Sequence, residues 1–181
     1  MPISTFLKKK WLRWPLKNKT MRILGVDPGL RATGFGLVEI RAGSVKVLDA
    51  GSIEPNEKAL FENRIAKVFD LLSEIVSTHK PNVLVLEKLY AHYKHPTTAC
   101  ILGHVRGVIC LVAQKHKVEL QEHSVKRIRQ ALVGNGNATK EQVQMFVKRL
   151  LHIEKSTLTL DTSDALALAL GHAHMMRMKL L

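Results

Sequence analysis

The run Val83-Leu84-Val85-Leu86, closed by Glu87, constrains this chain more than any other feature. Four apolar side chains in unbroken succession leave no face of an extended strand for water. Such a strand has to be covered on both sides, as in a sheet that carries helices above and below it. Glu87 then stands where the strand leaves the core.

The rest of the chain reads as the remainder of that sheet and its cover. "RILGVD", "ATGFGLVEI" and "SVKVLDAGSI" are three strands parted by Pro28-Gly29 and by Arg41-Ala42-Gly43, so an antiparallel meander opens the domain. Phe61, Ile65, Val68, Phe69, Leu72, Ile75 and Val76 recur at steps of three and four, which predicts an amphipathic helix ending near Lys80-Pro81. After the Glu87 strand come a helix over about 97–115, a strand "VELQEH", a basic helix "SVKRIRQALV" and a glycine-rich turn "GNGNATK". Thr139 and Gln142 make a capping box ahead of "KEQVQMFVKRLL", and "LDTSDALALALGHAH" begins a last, nearly all-apolar helix. At 181 residues this suits one α/β domain.

Asp27 repeats the placement of Glu87 at the end of an apolar strand, so neighbouring strands would set the two acids side by side. Asp161 and Asp164 are three apart at the start of the last helix and share one of its faces. An acid at a helix start is also an ordinary cap, and for Asp161 alone capping is the simpler role. Asp164 precedes Ala-Leu-Ala-Leu-Ala-Leu, where an unpartnered charge is costly. Four converging carboxylates repel one another and call for cations, and hard oxygen donors suit Mg²⁺ or Mn²⁺. Two such ions about 4 Å apart are the apparatus of metal-assisted attack on a phosphodiester.

Charge points the same way. The net charge is +13, and six of the cations (Lys8, Lys9, Lys10, Arg13, Lys17, Lys19) lie in residues 1–20, which hold no acid. Seven of the thirteen therefore remain in the body, a field suited to nucleic acid. Residues 1–20 read as a basic leader: a disordered tail, an upstream start with Met21 as the true first residue, or a transit peptide. Cys100 and Cys110 form no C-x-x-C pair, and "TTACILGHVRGVICLVA", interrupted by His104 and Arg106, falls short of a membrane span.

"ILGVDPGLRATGFGLVE", "VLVLEKLY", "GHVRGVI", "VKRIRQALVGNGNATKEQVQ" and "DTSDALALALGHAH" resemble, in order and spacing, the RuvC crossover junction endodeoxyribonucleases, from about Met21 to about His174. The resemblance implies a ribonuclease H-like α/β fold, a mixed sheet with helices on both faces, over residues 21–181. It implies a cytoplasmic homodimer that nicks two like-polarity strands of a four-way (Holliday) DNA junction in recombination and repair. The expected ends are 5′-phosphate and 3′-hydroxyl, and a RuvA-RuvB branch-migration complex is the expected partner. Carried over by position, Asp27, Glu87, Asp161 and Asp164 hold two Mg²⁺ ions per subunit, with Mn²⁺ as a substitute. Gly103 and Gly107 fall in what resembles the dimer-forming helix, with burial inside the monomer as the competing explanation.

Tyr90 falls where the family often has a Phe, and a ring there could stack on an unpaired base. Lys126, Arg127, Arg129 and Lys140 form a basic wall for DNA backbone, each phosphate neutralised steepening the salt dependence by about 0.9 log unit. Lys88, where Gln or Glu is frequent, and the His-rich "YAHYKHP" depart from the family pattern and bear on sequence preference. His92, His95, His172 and His174 read as surface or packing residues. Two rivals stand beside the nuclease: an actin-like kinase, opposed by the missing second phosphate-binding hairpin, and a non-catalytic binder of branched DNA.

Overall fold

The computed structural model describes residues 20–29, 31–42, 44–88, 96–152 and 158–179; Tyr90, His92 and His95 lie outside them. Five strands form one mixed sheet in the order β3-β2-β1-β4-β5. They are β1 (Met21–Asp27), β2 (Thr33–Arg41), β3 (Ser44–Ile53), β4 (Val83–Glu87) and β5 (Glu119–His123). The meander expected from the sequence is present, with β1–β2 and β2–β3 antiparallel and a register shift between Leu37 and Val38. The β1–β4 and β4–β5 pairs are parallel.

Alternation along β1 sorts the core. Leu24 and Val26 face one side, where α1 (Phe61–His79) and α2 (Pro96–Lys115) pack through Val68, Leu72, Val105 and Ile109. Ile23 faces the other, beneath α5 (Leu160–Lys179). Outside α5 lie α3 (Val125–Val133) and α4 (Lys140–Leu150), which contribute Ile128, Leu132, Val143 and Val147 to that core. A helix sandwiched between a sheet and two further helices has no wet face, which is why residues 165–174 are buried throughout and "ALALALGHAH" shows no polar stripe.

Helix ends follow local chemistry. Lys80, left-handed at φ 49°, closes α1 ahead of Pro81. Ser124 accepts from the Arg127 N–H at the start of α3, and Thr139 with Gln142 forms the expected capping box of α4. At α5 the cap is Thr159, whose hydroxyl accepts from the Thr162 N–H at 3.2 Å. Asp161 is thereby released from the capping role its position suggested.

Two glycines let α5 come down onto the sheet. A Cβ on Gly25 would stand 2.0 Å from the Ala165 carbonyl oxygen, and one on Gly34 would stand 2.2 Å from that of Asp161. Backbone meets backbone at both points, so only glycine fits.

α2 corrects the expectation about its apolar stretch. From Thr97 to Lys115 it has a mean hydropathy of 1.4 over 19 residues and is, by length and composition alone, sufficient to cross a membrane. Val105, Ile109, Val112 and Ala113 are buried against the sheet, which accounts for part of that apolar character. The outward half is a stripe of Cys100, Gly103, His104, Gly107 and Leu111, the last 51% exposed. A Cβ on Gly103 or Gly107 would meet nothing within 4 Å, so these glycines are not buried in the monomer.

Candidate active site

Ile23, Gly25 and Asp27 alternate onto the α5 side of the sheet, and so do Val83, Val85 and Glu87. The parallel register pairs Ile23 with Val83 and Val26 with Leu86, so one further step sets Asp27 level with Glu87. Asp164 projects toward them from the second turn of α5. The three carboxylates line one cavity of about 250 Å³ together with Arg129 and Lys140. Three elements far apart in sequence thus deliver acids to one point, and two more deliver the facing cations.

The cavity is electrostatically loaded. Burial, then the charges of Asp164 and Glu87, push the Asp27 carboxyl up from 3.8 to about 7. Lys140 opposes that rise, and Asp161 adds to it more weakly than Asp164 does. Burial also raises Glu87, with Lys140, Arg129 and Arg106 pulling it back. The Lys140 ammonium donates to Asp164 Oδ2 at 2.8 Å, and that hydrogen bond is the main reason its own pKa is raised. Among the described residues Asp27 and Glu87 have no such direct cation.

Partly buried, mutually repelling carboxylate oxygens with a lysine ammonium against one of them fit hard divalent cations, which would supply the missing positive charge. Among the described residues no three His, Cys, Asp or Glu side chains are disposed as a ready ion cage, and Asp164 is engaged by Lys140.

Arg129 and Lys140 of the expected basic wall reach the cavity, whereas Lys126 and Arg127 are exposed on α3 outside it. Arg129 also donates to the Ala138 carbonyl at 2.7 Å, tying α3 to the glycine-rich turn. Asp161 does not line the cavity, and its influence on Asp27 is the weaker one noted above. Tyr90 lies outside the described residues. His172 and His174 are buried packing residues, as the sequence suggested, but His172 has a role the sequence hid: its Nδ1 shares a hydrogen bond of 2.8 Å with Nε2 of His123. His123 pairs with Glu87 in the β4–β5 ladder, so this bond pins β5 to α5 one strand away from the acids. Arg106, partly buried in α2, bonds the Glu87 carbonyl and the Glu122 carboxylate. Neither His123 nor Arg106 was legible; an arginine inside an apolar helix was the one available signal.

This sheet order, with acids at adjacent ends of β1 and β4 beneath an acid-bearing helix, defines a ribonuclease H-like fold with an acidic cavity at one end of its sheet. The match to crossover junction endodeoxyribonuclease RuvC over residues 23–172 is more specific, and the chain belongs to that family. The RuvC of Alkaliphilus metalliredigens is 38% identical over 154 residues, covering 85% of this chain and 93% of its own. The Thermus thermophilus RuvC structure superposes with a TM-score of 0.80 at 25% identity, covering 88% of this chain and 97% of that one. The structure of T. thermophilus RuvC in complex with Holliday junction substrate has the same fold, with a TM-score of 0.79 at 23% identity over 87% and 96% of the two chains. The family is one of metal-dependent nucleases.

Proposed function

We propose that this protein is a crossover junction endodeoxyribonuclease that resolves Holliday junctions in recombination and repair. It nicks two strands of like polarity symmetrically and leaves 5′-phosphate and 3′-hydroxyl ends. The observation that carries this reading is the meeting of Asp27, Glu87 and Asp164 in one basic-walled cavity. Asp161, one turn earlier on α5, completes the acid set. These oxygens would hold two Mg²⁺ ions, or Mn²⁺ in their place, which would supply Lewis acidity at the scissile phosphate. Lys140 holds Asp164 in place and moderates the pKa values of Asp27 and Glu87. Arg129 and Lys140, with Lys126 and Arg127 beyond the rim, receive the DNA backbone, and Tyr90 stacks on an unpaired base.

Symmetric nicking needs two sites, and the open glycine stripe of α2 supports a homodimer through that face. The nuclease unit is residues 21–181, the leader 1–20 is dispensable, the enzyme works in the cytoplasm, and a RuvA-RuvB complex delivers its junctions. The test is a synthetic four-way junction beside linear duplex, each with Mg²⁺. Cutting confined to the junction is expected, and Asp27→Asn should keep junction binding while losing cutting. Unchanged cutting by that variant would defeat the proposal.

A further inference from the structure

Glu87 presents its side chain to the α5 side of the sheet while its backbone is the last rung of β4. The β1–β4 pairing ends one residue earlier, at Val26 and Leu86. On the β5 side the following Lys88 N–H donates to the His123 carbonyl at 2.8 Å. What meets the Glu87 carbonyl is Arg106, whose guanidinium donates to it at 2.5 Å from α2 on the opposite face of the sheet. The other guanidinium nitrogen bonds the Glu122 carboxylate of β5.

The two partners differ in a way that assigns the direction of support. The Arg106 side chain is 12% exposed, whereas Glu122 is 38% exposed and can be hydrated. Glu122 therefore anchors the arginine, and the arginine fixes the peptide that follows the catalytic strand. A fork of fixed donors spanning two strands holds a peptide plane more tightly than a lone ammonium can.

We infer that Arg106 is a positioning residue: from behind the sheet it fixes the backbone of Glu87 and so aims the Glu87 carboxylate into the cavity. This rests on the proposed role of Glu87 as a metal-holding acid. Arg106 is also flanked by Gly103 and Gly107 of the open stripe, so the same helix that offers a face to a second copy braces the acid.

The test uses Arg106→Gln, Arg106→Lys and Glu122→Gln in the full chain. Mn²⁺ binding is measured by titration calorimetry without DNA, and single-turnover nicking is followed against Mn²⁺ concentration. Loss of an outer-shell support weakens metal binding by about tenfold or more, so Arg106→Gln should need that much more Mn²⁺ in both assays. Junction affinity should be unchanged, saturating Mn²⁺ should recover most of the nicking, and Arg106→Lys and Glu122→Gln should shift the same way by less. Parental Mn²⁺ titration by Arg106→Gln, or by Glu122→Gln if Arg106→Gln does not fold, would overturn the inference. Glu87→Gln separates the two levels: if it still cuts, the acid-site reading falls, whereas if it is dead while Arg106→Gln titrates like the parent, only the positioning role falls.

Discussion

Replacing Asp27 with Asn should stabilise the metal-free protein, and by an amount that grows with pH. The folded-state carboxyl titrates near 7 instead of 3.8 because it is buried beside Asp164 and Glu87. The fold therefore binds a proton that the unfolded chain has already released between about pH 4 and 7, and stability falls as pH rises through that window. That difference corresponds to about 4 kcal/mol as a ceiling, reduced by any local relaxation. Asn keeps the shape and removes the charge, so the variant-minus-parent difference should be small near pH 4 and reach its full size by pH 8. In a domain of this size each kcal/mol moves the melting temperature by about 2–4 °C, which makes the effect several degrees. The assay is calorimetric melting of both proteins in EDTA from pH 4 to 8; using the difference curve cancels the contribution of every group the two proteins share. Added Mg²⁺ should raise the parent's melting point at pH 8 and leave the variant's nearly unchanged. A difference curve that is flat with pH, or a variant less stable than the parent at pH 8, would refute the claim that Asp27 is held neutral by its surroundings.

Lys140→Gln removes the cation that restrains the pKa values of both Asp27 and Glu87, so the acid limb of the nicking-rate profile should move to higher pH. Rate measurements from pH 6 to 9.5 check this, and a uniform loss at every pH would show that Lys140 acts only on DNA. Gly25→Ala drives a methyl into the Ala165 carbonyl and the Ala169 nitrogen, backbone atoms that cannot swing aside, and should cost about 3 kcal/mol or more in urea unfolding. Leu111→Glu alters a half-exposed side chain on the open stripe, so melting should change by less than about 0.5 kcal/mol while sedimentation shifts from dimer to monomer. A dimer that survives this change uses another face.

The acids were legible because each ends a run that the core demands: Asp27 after "ILGV", Glu87 after "VLVL", and Asp164 before six alternating Ala and Leu. Hydrophobic patterning fixes where such runs stop, and a charge at that point stands out. The capping of α5 was not legible, since Thr159 and Asp161 both suit a helix start and only the backbone path selects between them. The His123–His172 bond joins residues 49 apart, across a strand and a helix whose separate periodicities say nothing of their mutual height. Arg106 read as an interruption of an apolar segment, because its partners are a main-chain carbonyl and a glutamate on other strands. The seating of α5 on Gly25 and Gly34 follows from glycines inside buried strands, a signal whose meaning depends on knowing which helix lies above.

Because the acid of α5 arrives with the final helix, and that helix also fills the layer between sheet and α3–α4, an unfinished chain holds neither. A polypeptide still on the ribosome, or one cut short by a premature stop before residue 160, keeps Asp27 and Glu87 on strands with one face bare. Such products lack both the Asp164 carboxylate and the buried layer that α5 supplies, so the cavity and its cover are completed in the same step.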